Sequence, residues 1–203
     1  MPECGPSTPL REPSSSVRRP TDSNSSRRGL TLTVTVWYLE QTSAPDTESL
    51  PTVSAGQSPL LTVPRIFSPT IRHYRWLFES VGGPWNWTSR KLLDDEQLLR
   101  ILEDPQVEVF QLEVDSQLAG FAELDRRRAD EVELKFFGLL PQFTGQGLGT
   151  RFLVLILQQA WKTQPRRVWL HTCSNDHPAA FRLYTAAGFG CYREELEPPS
   201  PGA

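Results

Sequence analysis

Little in this sequence points to a membrane, a metal site or a disulfide framework. The longest apolar run, Phe152 to Leu157, falls far short of the ~18 residues that span a bilayer. Cysteine is scarce: Cys4, Cys173 and Cys191 are scattered thiols without metal-ligand spacing, which suits a reducing, cytoplasmic compartment. Positive charge is not in excess either. A net charge of -3 and a pI near 5.7 leave no electrostatic footprint for nucleic acid. No internal repeat stands out. Residues 1–29 almost lack large apolar side chains and are rich in Ser, Pro and Arg. Such a segment cannot bury enough surface to offset its ordering entropy, and it has no apolar stretch of signal-peptide type. It reads as a disordered tail, or as sequence ahead of a later start codon. The 203 residues suffice for one domain with a sizeable core, expected over 30–197, with a loose tail at 198–203.

What is present is an ordered alternation of strand and helix signals. Leu32, Val34 and Val36 alternate with threonines and run into Trp37-Tyr38-Leu39, a β-branched period of two. Residues 41–57 read as a loop, and 60–67 as a short strand interrupted by Pro64. Ser68-Pro69 predicts an N-cap and first helical position. Ile71, Tyr74, Trp76, Leu77 and Val81 mark the buried side, and Gly82 or Gly83 the stop. Asp94 to Leu102 predicts a helix with Asp94 and Gln97 as a capping box. Val107 to Val114 and Leu118 to Glu123 predict a hairpin around Asp115-Ser116. A strand over Glu131 to Leu139, a helix to about Thr163, a strand over Arg167 to Thr172, a helix over Pro178 to Ala187 and a strand over Phe189 to Glu195 complete the order.

The chain is organised around Gly145-Gln146-Gly147-Leu148-Gly149, between a strand and an apolar helix. Glycines are poor helix formers, at roughly 1 kcal/mol each relative to alanine. Without a Cβ, however, the backbone can lie close to a ligand. A helix N-terminus presents unpaired N–H groups and partial positive charge, so phosphate is its natural guest. The plainer alternative is a tight turn that binds nothing. A Walker A loop is disfavoured, because Gly149 leads into Thr150 and Arg151 rather than lysine. A dinucleotide fingerprint is disfavoured too: the third glycine comes one position early, and the next strand ends in His171-Thr172-Cys173.

Pro141 to Gly149 resembles the acetyl-CoA loop of the GNAT N-acetyltransferases. Their pattern is Arg or Gln, two residues, Gly, one residue, Gly or Ala. The first position falls on Thr144, a departure, with Gly147 and Gly149 as the small residues. A frame shifted to start at Gln142 also matches the letters but fits the strand end less well. Val168 to Thr172 followed by Ala180, Leu183-Tyr184 and Gly188-Phe189 resembles the second block of the same family. There His177 stands where the family carries asparagine. The resemblance is strongest over 107–193 and is to a bacterial-type member. It implies a mixed α/β fold: a mostly antiparallel twisted sheet of six to seven strands flanked by about four helices.

The resemblance also implies acetyl-CoA as co-substrate and a primary amine of a small molecule as acceptor, attacking directly in a ternary complex. Nucleic acid and membrane are not expected as partners; a homodimer is left open. Coenzyme contacts fall on Phe137, Gly138 and Leu139, on Thr144, Gly145, Gln146, Gly147, Leu148, Gly149 and Thr150, and on His177 and Tyr184. The chemistry itself needs a base, because a lysine-like amine of pKa ~10.4 must lose a proton, at about 4–5 kcal/mol at pH 7. Glu133 holds the position of a catalytic glutamate in several family members; a salt bridge to Lys135 is the alternative. Glu131, Glu133, Lys135 and Phe137 share one face if the strand alternates without a bulge. Glu123 is a second candidate, holding the acceptor amine. His171 is a third, by its intrinsic pKa, or else a hydrogen-bonded core histidine. Tyr184 aligns with the family tyrosine near the coenzyme sulfur and is the candidate hydroxyl that eases departure of the thiolate, with core packing as the alternative. Cys173 reads as an inert thiol, and no metal ligands are expected. Tyr74, Trp85, Trp87 and Arg90 lie in the region that shapes the acceptor side in similar proteins. A catalytically silent acyl-CoA-binding sensor, and a transferase of longer acyl groups with space beyond Phe136 and Phe137, are the alternative functions.

Overall fold

The computed structural model describes residues 33–45 and 59–198. The expected tail at 1–29, most of the expected loop at 41–57 and residues 199–203 lie outside them. Eight strands and four helices follow in the order β1 (Val34–Gln41), β2 (Leu61–Thr62), β3 (Arg65–Ile66), α1 (Ile71–Gly82), α2 (Asp95–Leu102), β4 (Val107–Val114), β5 (Gln117–Asp125), β6 (Glu131–Leu139), α3 (Leu148–Trp161), β7 (Arg167–Cys173), α4 (Ala180–Ala186) and β8 (Gly190–Glu197). They form one sheet in the order β2-β4-β5-β6-β7-β1-β8, with β3 also on β4. Every pairing is antiparallel except β6 with β7.

The strand count exceeds the expected six to seven because of Pro64. It lacks an N–H and divides residues 61–66 into two short strands, both on β4, while its carbonyl accepts from Gln111 N at 3.0 Å. Helix α1 also departs from expectation. Its N-cap is Thr70, whose hydroxyl accepts from His73 N at 3.2 Å, rather than Ser68, which has φ +50°. Trp76 is 48% exposed, and Phe78 takes its expected place in the core. A residue two positions from Tyr74 lies beyond the apolar stripe of a 3.6-residue repeat. Helix α2 carries the expected capping box: Asp94 accepts from Gln97 N at 2.8 Å and Gln97 from Asp94 N at 3.0 Å.

Two apolar layers sandwich the sheet. On one face Phe152, Leu153, Ile156 and Leu157 of α3 pack on Ala122, Leu124, Val132, Leu134, Val168 and Leu170. On the other, Tyr74, Leu77 and Phe78 of α1 and Leu98 of α2 pack on Val109, Phe121 and Phe136. Between the two layers β6 changes register. Glu123 pairs with Phe136 but Leu124 with Leu134, leaving Lys135 as a bulge. The face shared by Glu131, Glu133, Lys135 and Phe137, which required a strand without a bulge, is therefore broken. Phe136 joins the α1 layer with Phe121, and Phe137 joins the α3 layer, stacked 4.8 Å from Phe152.

Gly120 of β5 lies opposite Leu139 of β6. A Cβ there would stand 2.4 Å from the Gly138 carbonyl oxygen, a backbone atom that cannot turn away. Gly120→Ala is expected to lower unfolding stability by about 1–3 kcal/mol through this overpacking, measured as a reduced denaturation midpoint with unchanged slope.

Candidate functional site

The site begins where two strands part. β6 and β7 pair only at Glu131↔Arg167, Val132↔Val168 and Glu133↔Trp169. Yet β6 runs on to Leu139, held by β5, and β7 runs on to Cys173, held by β1. Leu140 N donates to Ala119 O at 2.8 Å. By antiparallel alternation Gly138 then faces β5, while Phe137 and Leu139 turn their N–H and C=O groups outward, into the splay. Buried backbone groups of this kind need partners. A cavity of about 640 Å³ opens there.

At one end of the cavity lies the glycine turn. Gly145 (φ +75°) and Gly147 (φ +72°) are left-handed, and a Cβ on either would meet no atom within 4 Å. Glycine is therefore needed at both for conformation rather than for lack of room. Gly147 is the N-cap of α3 and offers no side-chain cap. The neighbouring polar side chains are turned back on the preceding turn: Thr144 Oγ1 donates to Pro141 O and Gln146 Nε2 to Gln142 O, both at 2.8 Å. Among the described residues, no side chain accepts from the first N–H groups of α3. Thr144, Gly145, Gly147, Gly149 and Thr150 line the cavity, as do Phe137, Gly138, Leu139, His177 and Tyr184. Gln146 and Leu148, named with them from sequence, do not. Leu148 is buried in the α3 layer, so only its backbone faces the turn.

At the other end are the titratable groups. His171 lines the cavity with its side chain 42% exposed, and its Nδ1 lies 3.4 Å from Glu133 Oε1. Lys135 Nζ donates to the same oxygen at 2.9 Å. Burial acts to raise the Glu133 carboxyl, but the His171 contact and the Lys135 charge outweigh it and hold the group below its ordinary value. Tyr184 is buried at the cavity wall, and burial, with the Asp176 charge behind it, pushes its phenol well above the usual range. Cys173 also lines the cavity, half-buried, with its thiol pushed up by burial.

Glu123 is elsewhere. It is fully buried under α1, absent from the cavity lining, and bound by Arg90 Nη2 at 2.5 Å and by Tyr74 Oη. A carboxylate so enclosed has no room for an acceptor amine, so the amine-holding role expected for it does not fit its surroundings. Tyr74 and Arg90, expected on the acceptor side, are held away from the cavity by the same contacts. Trp85 and Trp87 do line the cavity. Asp176 was not legible as a site residue, yet it ties the site together. It accepts from Trp87 Nε1 at 3.1 Å, Thr172 Oγ1 at 2.7 Å and Cys173 N at 2.9 Å. Only its place next to His177 hinted at this. Val34, Val36 and Tyr38 of β1 also line the cavity, brought there by a pairing with β7 that spans most of the chain.

The sequence profile of the acetyltransferase (GNAT) family matches residues 70–189. The chain belongs to the GNAT acetyltransferase family. Its domain is of acyltransferase type. No curated protein sequence matches it. Among solved structures, the GNAT chain is similar to a conserved protein of unknown function from Staphylococcus epidermidis, at 16% identity and TM-score 0.57, covering 81% of this chain and 60% of that one. It is similar to an aminoglycoside acetyltransferase from an uncultured soil metagenomic sample, at 13% identity and TM-score 0.51, covering 63% of this chain and 87% of that one. It is also similar to a tandem GNAT protein from the clavulanic acid biosynthesis pathway, at 15% identity and TM-score 0.52, covering 83% of this chain and 55% of that one. The chain thus spans little more than half the length of the first and third. Identities this low establish the fold.

In this GNAT domain, His177 is occupied locally. Its Nδ1 accepts from Ala179 N at 3.0 Å, opening α4, and its ring meets Trp85 edge-on at 4.9 Å. No helix among the described residues is long and apolar enough to cross a membrane, and no group of metal-ligating side chains is found among them.

The depressed Glu133 carboxyl has a stability consequence. A carboxyl lower in the folded than in the unfolded state stabilises the fold above its ordinary value of 4.5. That contribution is lost as pH falls through the depressed value. Wild type is expected to be more stable than Glu133→Gln near neutral pH, with the gap closing as pH drops below 4.5. Urea unfolding of both proteins across this range is the check; a gap independent of pH would contradict the ionic pairing.

Proposed function

We propose that the protein transfers an acetyl group from acetyl-CoA to the primary amine of a small molecule, by direct attack in a ternary complex. The observation that carries this reading is the β6–β7 splay, open between a glycine turn and a histidine–carboxylate pair. The uncapped N–H groups of α3 and its partial positive charge suit a pyrophosphate. The outward N–H and C=O groups of Phe137 and Leu139 suit pantetheine amides and a thioester oxygen whose charge grows during attack.

At the other end an ammonium must become an amine. His171 faces the cavity and is the base; Glu133 lies beside Nδ1 and stabilises the imidazolium that forms. Glu133 therefore acts through His171 as a positioning residue. The freed nitrogen lone pair attacks the thioester carbon, the C–N bond forms, the C–S bond breaks, and the surplus proton on the nitrogen passes to the departing sulfur, giving amide and free thiol. The electron pair leaves on sulfur, as a thiolate with a pKa of about 8.5. Tyr184, kept a neutral phenol by burial, donates a hydrogen bond to it. Among the described residues no hydrogen bond occupies the Tyr184 hydroxyl. Trp85, Trp87 and the β1 side chains Val34, Val36 and Tyr38 shape the acceptor side. The free thiols Cys173 and Cys191 fit a reducing cytoplasm as the setting.

Thiol release from acetyl-CoA, followed with a panel of small primary amines, tests this reading. Wild type is expected to release thiol only when an amine is present. His171→Gln is expected to lower kcat about 100-fold, within the usual reach of general base catalysis. Tyr184→Phe is expected to lower kcat about tenfold, with acetyl-CoA affinity unchanged. Turnover unchanged in His171→Gln would remove it as the base. Coenzyme binding with no release on any amine would favour an acyl-CoA sensor.

A further inference from the structure

The mechanism leaves unused a fully buried charge pair at the bulge. Glu123 is 0% and Arg90 7% exposed. Arg90 Nη2 donates to Glu123 Oε1 at 2.5 Å, Tyr74 Oη donates to Glu123 Oε2, and Arg90 Nε donates to Tyr74 Oη at 3.3 Å. The three side chains come from a strand, a helix and a loop. Glu123 is the residue of β5 that pairs with Phe136 just where β6 changes register. The Arg90 guanidinium stands over the Phe136 ring, 5.2 Å from its centroid.

Arg90 is also the far anchor of the loop that carries Trp85 to Ser89 along the cavity. Its carbonyl accepts from Arg75 Nη1 at 3.3 Å, and Arg75 Nη2 donates to Leu93 O at 2.9 Å. At the loop's near end Trp87 N donates to Gly82 O at 3.1 Å, and its indole reaches across to Asp176. The loop is thus pinned at the helix, at Asp176 and at Arg90. Trp87 also packs on Phe136, ring centroids 5.3 Å apart, but of the three pins Arg90 alone hydrogen-bonds to Glu123, the residue opposite the bulge.

We propose that the Arg90–Glu123 pair, with Tyr74, is a positioning device that holds the acceptor loop in fixed register against the β6 bulge. The part concerning the acceptor rests on the acetyl-transfer reading; the part concerning the loop does not. A buried ion pair is a poor source of stability, since apolar residues of similar volume often replace it at no loss. Its geometric demands are strict, however: a guanidinium satisfied by one carboxylate and one phenol has one docked position, whereas an apolar side chain has several. The pair therefore contributes order in the loop more than it contributes stability. Tyr74 stays a donor throughout, because burial, reinforced by the Glu123 charge, holds its phenol well above the ordinary range.

The test separates the two roles with the double variant Arg90→Met/Glu123→Leu. Its thermal midpoint is expected to lie within about 5 °C of wild type, the relief of the buried ion pair being offset by the Tyr74 hydroxyl left without partners. Amide hydrogen exchange over residues 85–93 is expected to be about tenfold faster, with that of β6 unchanged. On whichever amine of the panel wild type turns over, KM for the amine is expected to rise about fivefold, while acetyl-CoA Kd stays within about twofold. Arg90→Lys, which keeps the charge but not the planar fork, is expected to recover part of the KM. Exchange over 85–93 at the wild-type rate would overturn the proposal, whatever the kinetics. If the double variant does not fold, Glu123→Gln decides by the same exchange and KM readouts. If wild type turns over no amine, the acetyl-transfer reading falls, and the exchange rates alone decide the positioning role.

Discussion

β6 cannot remain paired to both of its neighbours, and the rest of the site follows from that. The bulge at Lys135 keeps β6 on β5 while turning it from β7, which stays with β1. A bulge bends its strand and adds twist, and here it does so where the parallel pairing of β6 with β7 ends. The outward backbone groups of Phe137 and Leu139, the cavity and the placement of Phe136 in the layer opposite Val132 and Leu134 all depend on it. The glycine turn at the start of α3 then lies at one end of the opening, and the β7 side chains at the other.

The same geometry gives three carboxylates of the region different surroundings. Glu133 and Glu123 sit on adjacent strands, both nearly inaccessible to solvent. Glu133 looks toward the splay, where Lys135 and His171 share one of its oxygens. Glu123 looks under α1, where Arg90 and Tyr74 enclose it. Asp176, on the loop after β7, accepts from three donors and so serves as a hub. His177 and Glu197 are also exposed on the cavity lining, but His171 is the one with the Glu133 carboxylate beside its ring. That arrangement, more than the position of any one glutamate, is what makes proton transfer chemically sensible.

Much of this was legible before any coordinates. The strand over 131–139, the hairpin around Asp115-Ser116 and the capping box at Asp94 were readable because each depends on neighbours in sequence: period-two alternation, turn residues, a side chain three positions on. The glycine turn and its helix were readable for the same reason. The bulge was not, since Lys135 is neither glycine nor proline and its register is set by β5. The pairing of Glu123 with Arg90, 33 residues away, and of Trp87 with Asp176, 89 residues away, carries no local signal. Glu123 consequently looked from sequence like a free carboxylate beside the active strand. Thr70 displaced Ser68 as the cap because the fold placed the left-handed turn at Ser68, a choice that two adjacent hydroxyl residues flanking Pro69 leave open.

The central claim is that the splay with its glycine turn is an acetyl-CoA site. Calorimetric titration of wild type and Gly147→Glu with acetyl-CoA, with NADH as control, tests it most directly. The account predicts single-site binding to wild type, a loss of at least about 100-fold in Gly147→Glu, where an anion stands at the α3 N-terminus, and no heat with NADH. Equal affinity in the two proteins, or no binding of acetyl-CoA to wild type, would contradict it.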